Sequence, residues 1–404
     1  MGIQDLVFIL LILFAAPALI NYYAKIEGVE SKKYLVYLWY YHLFFGLAYL
    51  FYVTNFGGDA MGYWRRNEVP LSVYLRGGAG TAFMHVFTYP FVYALNLSFF
   101  TGSVLFSFIG FLGVLYFYLA ASRLVKHNTK VAGYTLLPWI FFLPNIHFWS
   151  AGVGKDTLSF FCVGLFLYSS LKPMIRAPGI LLSLFLVYNV RPHMAIFLLL
   201  AFGLGIFLDK RLNTIYKFLL TLCFAAGAVM LFDDVMEYVK LDEVSTESLE
   251  EFSSTKQSQL SRGHTGSSVD ISSYPLPLKV FTFLFRPLFI DAHNIASLLA
   301  SVENLILLFL TYVLFKSKPV NSFKEAPFQV KGLILFVLIG AVAFSNILGN
   351  MGIMIRMKNM FTPALLIFII WVLSYQKGLK TTEGETVKET IPRRKLRLVG
   401  PKMD

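Results

Sequence analysis

Long apolar runs separated by short polar breaks dominate the chain. About 20 apolar residues at helical rise are enough to cross the hydrocarbon of a bilayer. On that measure the sequence predicts spans near residues 3–22, 34–54, 102–121, 131–149, 156–171, 179–190, 194–208, 213–232, 295–315, 332–349 and 359–375. Two further apolar stretches fit only as non-spanning, re-entrant or interfacial helices. Phe83 to Leu97 contains Pro90 and ends beside Asn96, and Leu278 to Ile290 is broken by Arg286-Pro287. The one sizeable polar segment runs from Asp233 to Pro277, acidic in its first half and rich in Ser, Thr and Gly in its second. Residues 233–278 are therefore expected as an extracytoplasmic acidic helix followed by a mobile loop able to cover a site. The expected fold class is all-α: a polytopic helical membrane protein of about 11 transmembrane helices, with re-entrant or interfacial helices and one larger extracytoplasmic loop. It reads as a single transmembrane domain over residues 1–375 and a basic cytoplasmic tail over 376–404.

Composition agrees. The 404 residues are 57% hydrophobic and 14% charged, with a mean hydropathy of +0.65. A soluble domain needs far more polar surface. The first run, Ile3 to Ile20, lacks the basic leader and cleavage pattern of a secretion signal and is read as a retained span. The net charge of +12 implies no nucleic-acid partner, because loops and tail account for much of it through orientation and contact with anionic membrane lipid. Lys25, Lys32 and Lys33, Arg123 to Lys130, Lys172 and Arg176, Lys210 and Arg211, Lys316 to Lys331 and the tail all fall on one side by alternation. The positive-inside rule makes that side the cytoplasm and the N-terminus extracytoplasmic. Cys162 and Cys223 both sit in apolar runs, which argues against a disulfide framework or a thiolate metal site.

A second basic set lies on the other side: Arg65, Arg66, Arg76, Lys155, Arg191, Arg286, Arg356 and Lys358. Cations there gain nothing from orientation and cost energy near hydrocarbon, so an anionic ligand at the outer face is the simplest reason for them. The first outer loop, Asn55-Phe-Gly-Gly-Asp59-Ala-Met-Gly-Tyr63-Trp64-Arg65-Arg66, suits a sugar. Asp59 can accept hydroxyl protons, and Tyr63 and Trp64 can stack on pyranose faces; read plainly, the same loop is an interfacial aromatic belt with a solvated acid. In Trp149-Ser150-Ala-Gly-Val-Gly154-Lys155-Asp156-Thr157, glycines allow a tight turn, Asp156-Thr157 is expected to cap the next helix, and Lys155 stands by a helix start that favours anions. Val190-Arg191-Pro192-His193 interrupts an apolar run; Arg191 can grip phosphate oxygens in bidentate fashion and His193 can move a proton. Glu303, in an apolar helix, needs a partner, for which Arg286 and Arg191 are candidates; otherwise it is a candidate catalytic carboxylate. Asn346 to Lys358 joins small residues to two cations, Arg356 and Lys358, at a helix start.

The set Trp149-Ser150-Ala-Gly-Val-Gly154-Lys155-Asp156, Val190-Arg191-Pro192-His193, Leu284-Phe285-Arg286-Pro287, Glu303-Asn304 and Arg356 resembles polytopic proteins of bacterial surface-polysaccharide clusters. These are similar to the oligosaccharide repeat-unit (O-antigen-type) polymerases and, more distantly, to membrane glycosyltransferases of the C-type fold. No cofactor is expected, and protein-borne cations make a metal unnecessary, although Asp59 could ligate one; the resemblance implies a glycosyltransferase of the bacterial inner membrane. Its substrate would be a polyprenyl-diphosphate-linked oligosaccharide, and other polysaccharide synthesis or export proteins would be its partners. It implies that Arg191, Arg286 and Arg356 hold the diphosphate. The residues themselves offer Lys155, Lys358, Arg65, Arg66, Tyr63, Trp64 and His264 around the substrate and Asp59, His193 and Glu303 as candidate catalytic groups. The first outer loop carries one strong acid, Asp59, with Glu68 nine residues on, where C-type transferases commonly show an acidic pair. A carrier of the same lipid-linked glycan and a non-catalytic subunit of a synthase complex are the alternatives.

Overall fold

The computed structural model describes residues 1–29, 32–239, 269, 271, 273–292 and 294–390, the side chains of 238–239 and 382–390 excepted. His264, and most of the expected acidic helix and loop, lie outside the described residues. Within them the chain is all-α apart from a two-residue antiparallel pairing of Lys130–Val131 with Tyr134–Thr135. Six described helices are long and apolar enough to cross a membrane: Ile3–Glu27, Lys32–Phe56, Phe99–Leu124, Ile295–Lys316, Phe328–Ile347 and the Thr362–Thr381 stretch of a longer helix. Ala177–Val190, Pro192–Leu208, Thr214–Met230 and Leu276–Phe285 are shorter and apolar. Outward faces carry rows of exposed large apolar side chains, such as Leu6, Leu10 and Phe14, or Ile215, Phe218 and Leu222. Surfaces of that kind are stable against lipid and not against water, so the architecture is that of an all-α membrane protein.

Local signals set the helix ends. Asn213, Asn294 and Asn350 accept backbone N–H bonds at helix starts, and Ser98 accepts one from Thr101. Pro192 opens its helix and holds Arg191 extended, at φ −151° and ψ 87°, which separates two helices within one apolar run. The expected span at 131–149 is not one helix. Pro138 and Pro144 interrupt it, and the segment folds into short turns at Leu136–Trp139, Ile140–Phe142 and Pro144–Phe148. The Phe83–Leu97 stretch is a short helix, Thr81–Tyr89, continued as a wider turn over Pro90–Ala94. The 278–290 stretch forms Leu276–Phe285 and then breaks before Pro287.

The Phe99–Leu124 helix is the central post, with 83% of its apolar stretch buried. It packs on Lys155–Ser170, Lys32–Phe56 and Ile3–Glu27, while Pro192–Leu208 packs on Phe328–Ile347. Two buried acids clamp the first helix to this post. Asp5 accepts the Ser98 N–H at 2.8 Å and the Thr101 hydroxyl at 2.6 Å. Glu27 accepts Arg123 Nε at 2.8 Å and the Tyr168 hydroxyl at 2.7 Å, with Arg176 bound to its other side. These clamps also define two ends of the bundle. Asp156 begins its helix at the Asp5 end, and Ser170 finishes it at the Glu27 end.

Candidate functional site

Four separate segments meet at the start of the Lys155–Ser170 helix. Gly152 makes this possible, because a Cβ there would stand 2.0 Å from the Tyr49 ring. The helix is capped by Gly154, so Asp156 is not the cap that its position suggests. Its carboxylate is 6% exposed and turns inward. Oδ1 accepts Arg191 NH2 at 2.5 Å, and Oδ2 accepts Arg356 Nε. Arg191 arrives from the break before Pro192, and Arg356 from the eight-residue helix Met351–Lys358. Among the described residues, the second terminal nitrogen of Arg191 faces only thioethers, Met360 at 3.2 Å and Met357 at 3.4 Å. Sulfur is a weak acceptor, so Arg191 keeps donor capacity. Arg356 is more open, and Asp59 approaches it at 4.0 Å from the solvent side. The Asp156 charge beside it holds the Arg356 guanidinium even more firmly protonated than usual.

Asp59 reaches this point because Gly57 and Gly58, at φ +78° and +147°, turn the chain sharply after the Lys32–Phe56 helix. Lys155 lies next in sequence to Asp156 and is half-buried. The His193 ring packs edge-on between Phe197 and Phe344. Asp59, Lys155, Asp156, Arg191 and Arg356 thus form one constellation, with three cations against two carboxylates.

The other expected residues fall elsewhere. Trp64 is 5% exposed, donates Nε1–H to the Leu97 carbonyl and stacks near Phe91, so its faces are occupied by protein. Tyr63 is buried, with its ring edge-on to His85. Arg66 donates to the Val92 carbonyl at 3.0 and 3.2 Å, and Arg65 is exposed at the end of the Asp59–Trp64 helix.

A second group gathers Arg286, Asp291, Glu303 and Lys358. Arg286 forms a bidentate pair with Asp291, at 2.9 and 2.5 Å, and that guanidinium holds the Asp291 carboxyl below the ordinary range. Neither Arg286 nor Arg191 is the partner of Glu303. Its two oxygens accept the Asn145 backbone N–H and side-chain amide, each at 2.8 Å. The reason is that both arginines are already committed to Asp291 and Asp156. Lys358, 5% exposed, donates to Asn304 Oδ1 and to the Arg286 and Leu284 carbonyls. Asn145, Glu303, Asn304 and Lys358 line a cavity of about 10 Å³, the size of one water. Among the described residues no three His, Cys, Asp or Glu side chains are grouped as a metal site would require.

Burial lowers the Lys358 ammonium to about 7, with Glu303 opposing the shift. The folded protein therefore releases this proton at lower pH than the unfolded chain does. Between about pH 7 and the ordinary lysine value the unfolded state binds more protons, so stability rises with pH across that window. Urea unfolding of detergent-solubilised protein from pH 7 to 9.5 will show this rise, and Lys358→Met will flatten it. An equal slope in the variant would assign the effect to other groups.

The roles of Asp156 and Asn145 rest on partners distant in sequence. The signal for Asp156 was an acid inside an apolar run, which is costly unless paired. Compared with family models, with curated proteins and with solved structures, the chain has no match.

Proposed function

We propose that the chain transfers or polymerises a polyprenyl-diphosphate-linked oligosaccharide at the extracytoplasmic face of the bacterial inner membrane, in surface-polysaccharide synthesis. The observation that carries this reading is the convergence of Arg191 and Arg356 on Asp156, with Lys155 adjacent and Asp59 at the open side. Asp156 acts as a positioning carboxylate that orients two guanidiniums, and their remaining N–H groups are donors for phosphate oxygens. In the reaction an acceptor hydroxyl oxygen attacks the anomeric carbon of the donor glycan. The bond from that carbon to the diphosphate breaks, polyprenyl diphosphate leaves, and Asp59 takes the hydroxyl proton. Arg191, Arg356 and Lys155 stabilise the charge that grows on the leaving group. Of the candidate bases, Asp59 is favoured by its 67% side-chain exposure, whereas His193 is wedged between phenylalanines. Arg286, paired with Asp291 in the second group, is assigned to glycan or acceptor positioning rather than to the diphosphate. In this reading about ten helices span the membrane, with residues 131–149 as a crossing made of short turns. The loop cations set the C-terminal tail in the cytoplasm and the N-terminus outside.

The test uses purified full-length protein and a synthetic undecaprenyl-diphosphate-linked oligosaccharide. Wild type will yield longer lipid-linked glycan and free undecaprenyl diphosphate. Arg356→Gln leaves Asp156 paired with Arg191, so it is expected to fold and to lose about 100-fold or more in rate, as for deletion of one oxyanion donor. Asp59→Asn is expected to lose a similar factor. Product no longer than the substrate with wild type, or full rate in both variants, would defeat the reading. Translocation without elongation would mark a carrier, and neither would mark a non-catalytic subunit.

A further inference from the structure

At the opposite end of the bundle, beyond Leu124, the structure holds two adjoining recesses of about 380 and 440 Å³. They share a ridge formed by Glu325, Tyr375 and Leu379. Arg123, Lys126 and Arg211 line the first, and Lys318, Lys324 and Lys380 line the second. Glu325 is the one carboxylate among the lining residues. Arg123 and Arg211 are each bound on one side, to Glu27 and Asp209, yet leave 46% and 54% of their side chains exposed.

The walls are fastened before any ligand arrives. The His127 backbone N–H donates to Ser374 Oγ at 2.9 Å, Lys377 Nζ to the Asn128 carbonyl at 2.9 Å, and Gln376 to Ser322 Oγ at 2.8 Å. Trp371 stacks on Tyr375 at 5.3 Å, giving the first recess an aromatic wall at the end of two helices of membrane-crossing length. Three cations on each side of a shared ridge match a ligand with two separate anionic centres. The apolar walls of the first recess, Leu124, Pro327 and Trp371, and the shared Tyr375 and Leu379 match a ligand whose remainder lies in the bilayer. A soluble anion would make no use of those walls.

We propose that the paired recesses bind the headgroup of an anionic phospholipid that carries two phosphodiesters, the chemistry of diphosphatidylglycerol, with one phosphate in each recess. Basic pockets between helices at the side of the membrane rich in anionic lipid recognise such headgroups. The site is separate from the Asp156 constellation and does not depend on the function proposed for it.

Native mass spectrometry of the detergent-solubilised full chain tests this. It is titrated with diphosphatidylglycerol, phosphatidylglycerol and phosphatidylcholine, and then with pyrophosphate as competitor. Diphosphatidylglycerol is expected to be retained at concentrations at least tenfold lower than phosphatidylglycerol, with phosphatidylcholine not retained. The triple variant K126Q/K324Q/K380Q alters exposed side chains only, so it should unfold at the wild-type temperature and bind the two-phosphate lipid at least tenfold more weakly. K32Q/K33Q, which removes two cations at the same end but away from the recesses, should bind as wild type. Equal binding of the one- and two-phosphate lipids, an unchanged triple variant, or equal weakening by K32Q/K33Q would overturn the proposal. Displacement of the lipid by equimolar pyrophosphate would do the same, by identifying a site for free diphosphate.

Discussion

Asp156→Asn will destabilise the protein by about 3–5 kcal/mol, the cost of leaving a buried charge without its partner. One carboxylate serves two guanidiniums, and Arg191, at 7% side-chain exposure, has among the described residues only Met357 and Met360 to turn to. An asparagine fills the same volume but carries no charge, so the loss is electrostatic rather than steric. Because domains are stable by only about 5–15 kcal/mol, the effect should appear as a large fall in the thermal unfolding midpoint in detergent. The cause is separable by a double substitution. Asp156→Leu with Arg191→Met removes both charges and should recover most of the loss, since replacing a buried pair by apolar groups is often near neutral. Arg356 is better hydrated and should tolerate the change. A single variant within about 1 kcal/mol of wild type would mean that Asp156 does not hold the cluster together.

Gly164→Val is expected to force apart two helices at the centre of the bundle. At the crossing of Phe99–Leu124 and Lys155–Ser170, Gly113 and Gly164 bring the two backbones together. A Cβ on Gly164 would lie 2.7 Å from the Gly113 carbonyl oxygen and 3.3 Å from its Cα. Those atoms are main chain in the central post and cannot rotate away, so the helices must separate. Overpacking in a well-packed core costs about 1–3 kcal/mol, occasionally more. The alanine variant should fall in that range and the valine variant beyond it. The site would suffer too, because Asp156 begins the displaced helix. By contrast, a Cβ on Gly62 meets nothing within 4 Å, and Gly62→Ala should be tolerated. Unfolding of the three variants in one detergent compares them directly; a Gly164→Val protein as stable as Gly62→Ala would show that the crossing can relax.

Helix positions were legible where an apolar run ended at a strong local signal. The spans expected at 179–190 and 295–315 correspond to Ala177–Val190 and Ile295–Lys316, because Pro192 and Asn294 punctuate the chain there. The run at 131–149 is not one helix. Apolar composition alone does not distinguish a continuous helix from a run broken into short turns; Pro138 and Pro144 mark the breaks. Site partners were less legible. Asp156 meets arginines 35 and 200 residues away, and no local pattern encodes such distances. A buried Glu303 points to a cation as its partner, but a carboxylate is also satisfied by neutral donors, here Asn145. Trp64 and Tyr63 read as surface aromatics because a short polar loop surrounds them, yet the fold turns both inward.

The clamps on the first helix carry a consequence for biosynthesis. Asp5 and Glu27 leave the ribosome well before the groups that bind them, the Ser98 N–H and the Arg123 guanidinium, which follow 93 and 96 residues later. At about 5–20 residues per second, each acid waits roughly 5–20 s without its partner. During that interval neither carboxylate can settle into hydrocarbon, so the nascent segment must keep both ends wet, within the insertion machinery or at the lipid surface. It can take its final depth only when the Phe99–Leu124 segment arrives. Translation as far as Arg123 thus times the docking of the Ile3–Glu27 helix.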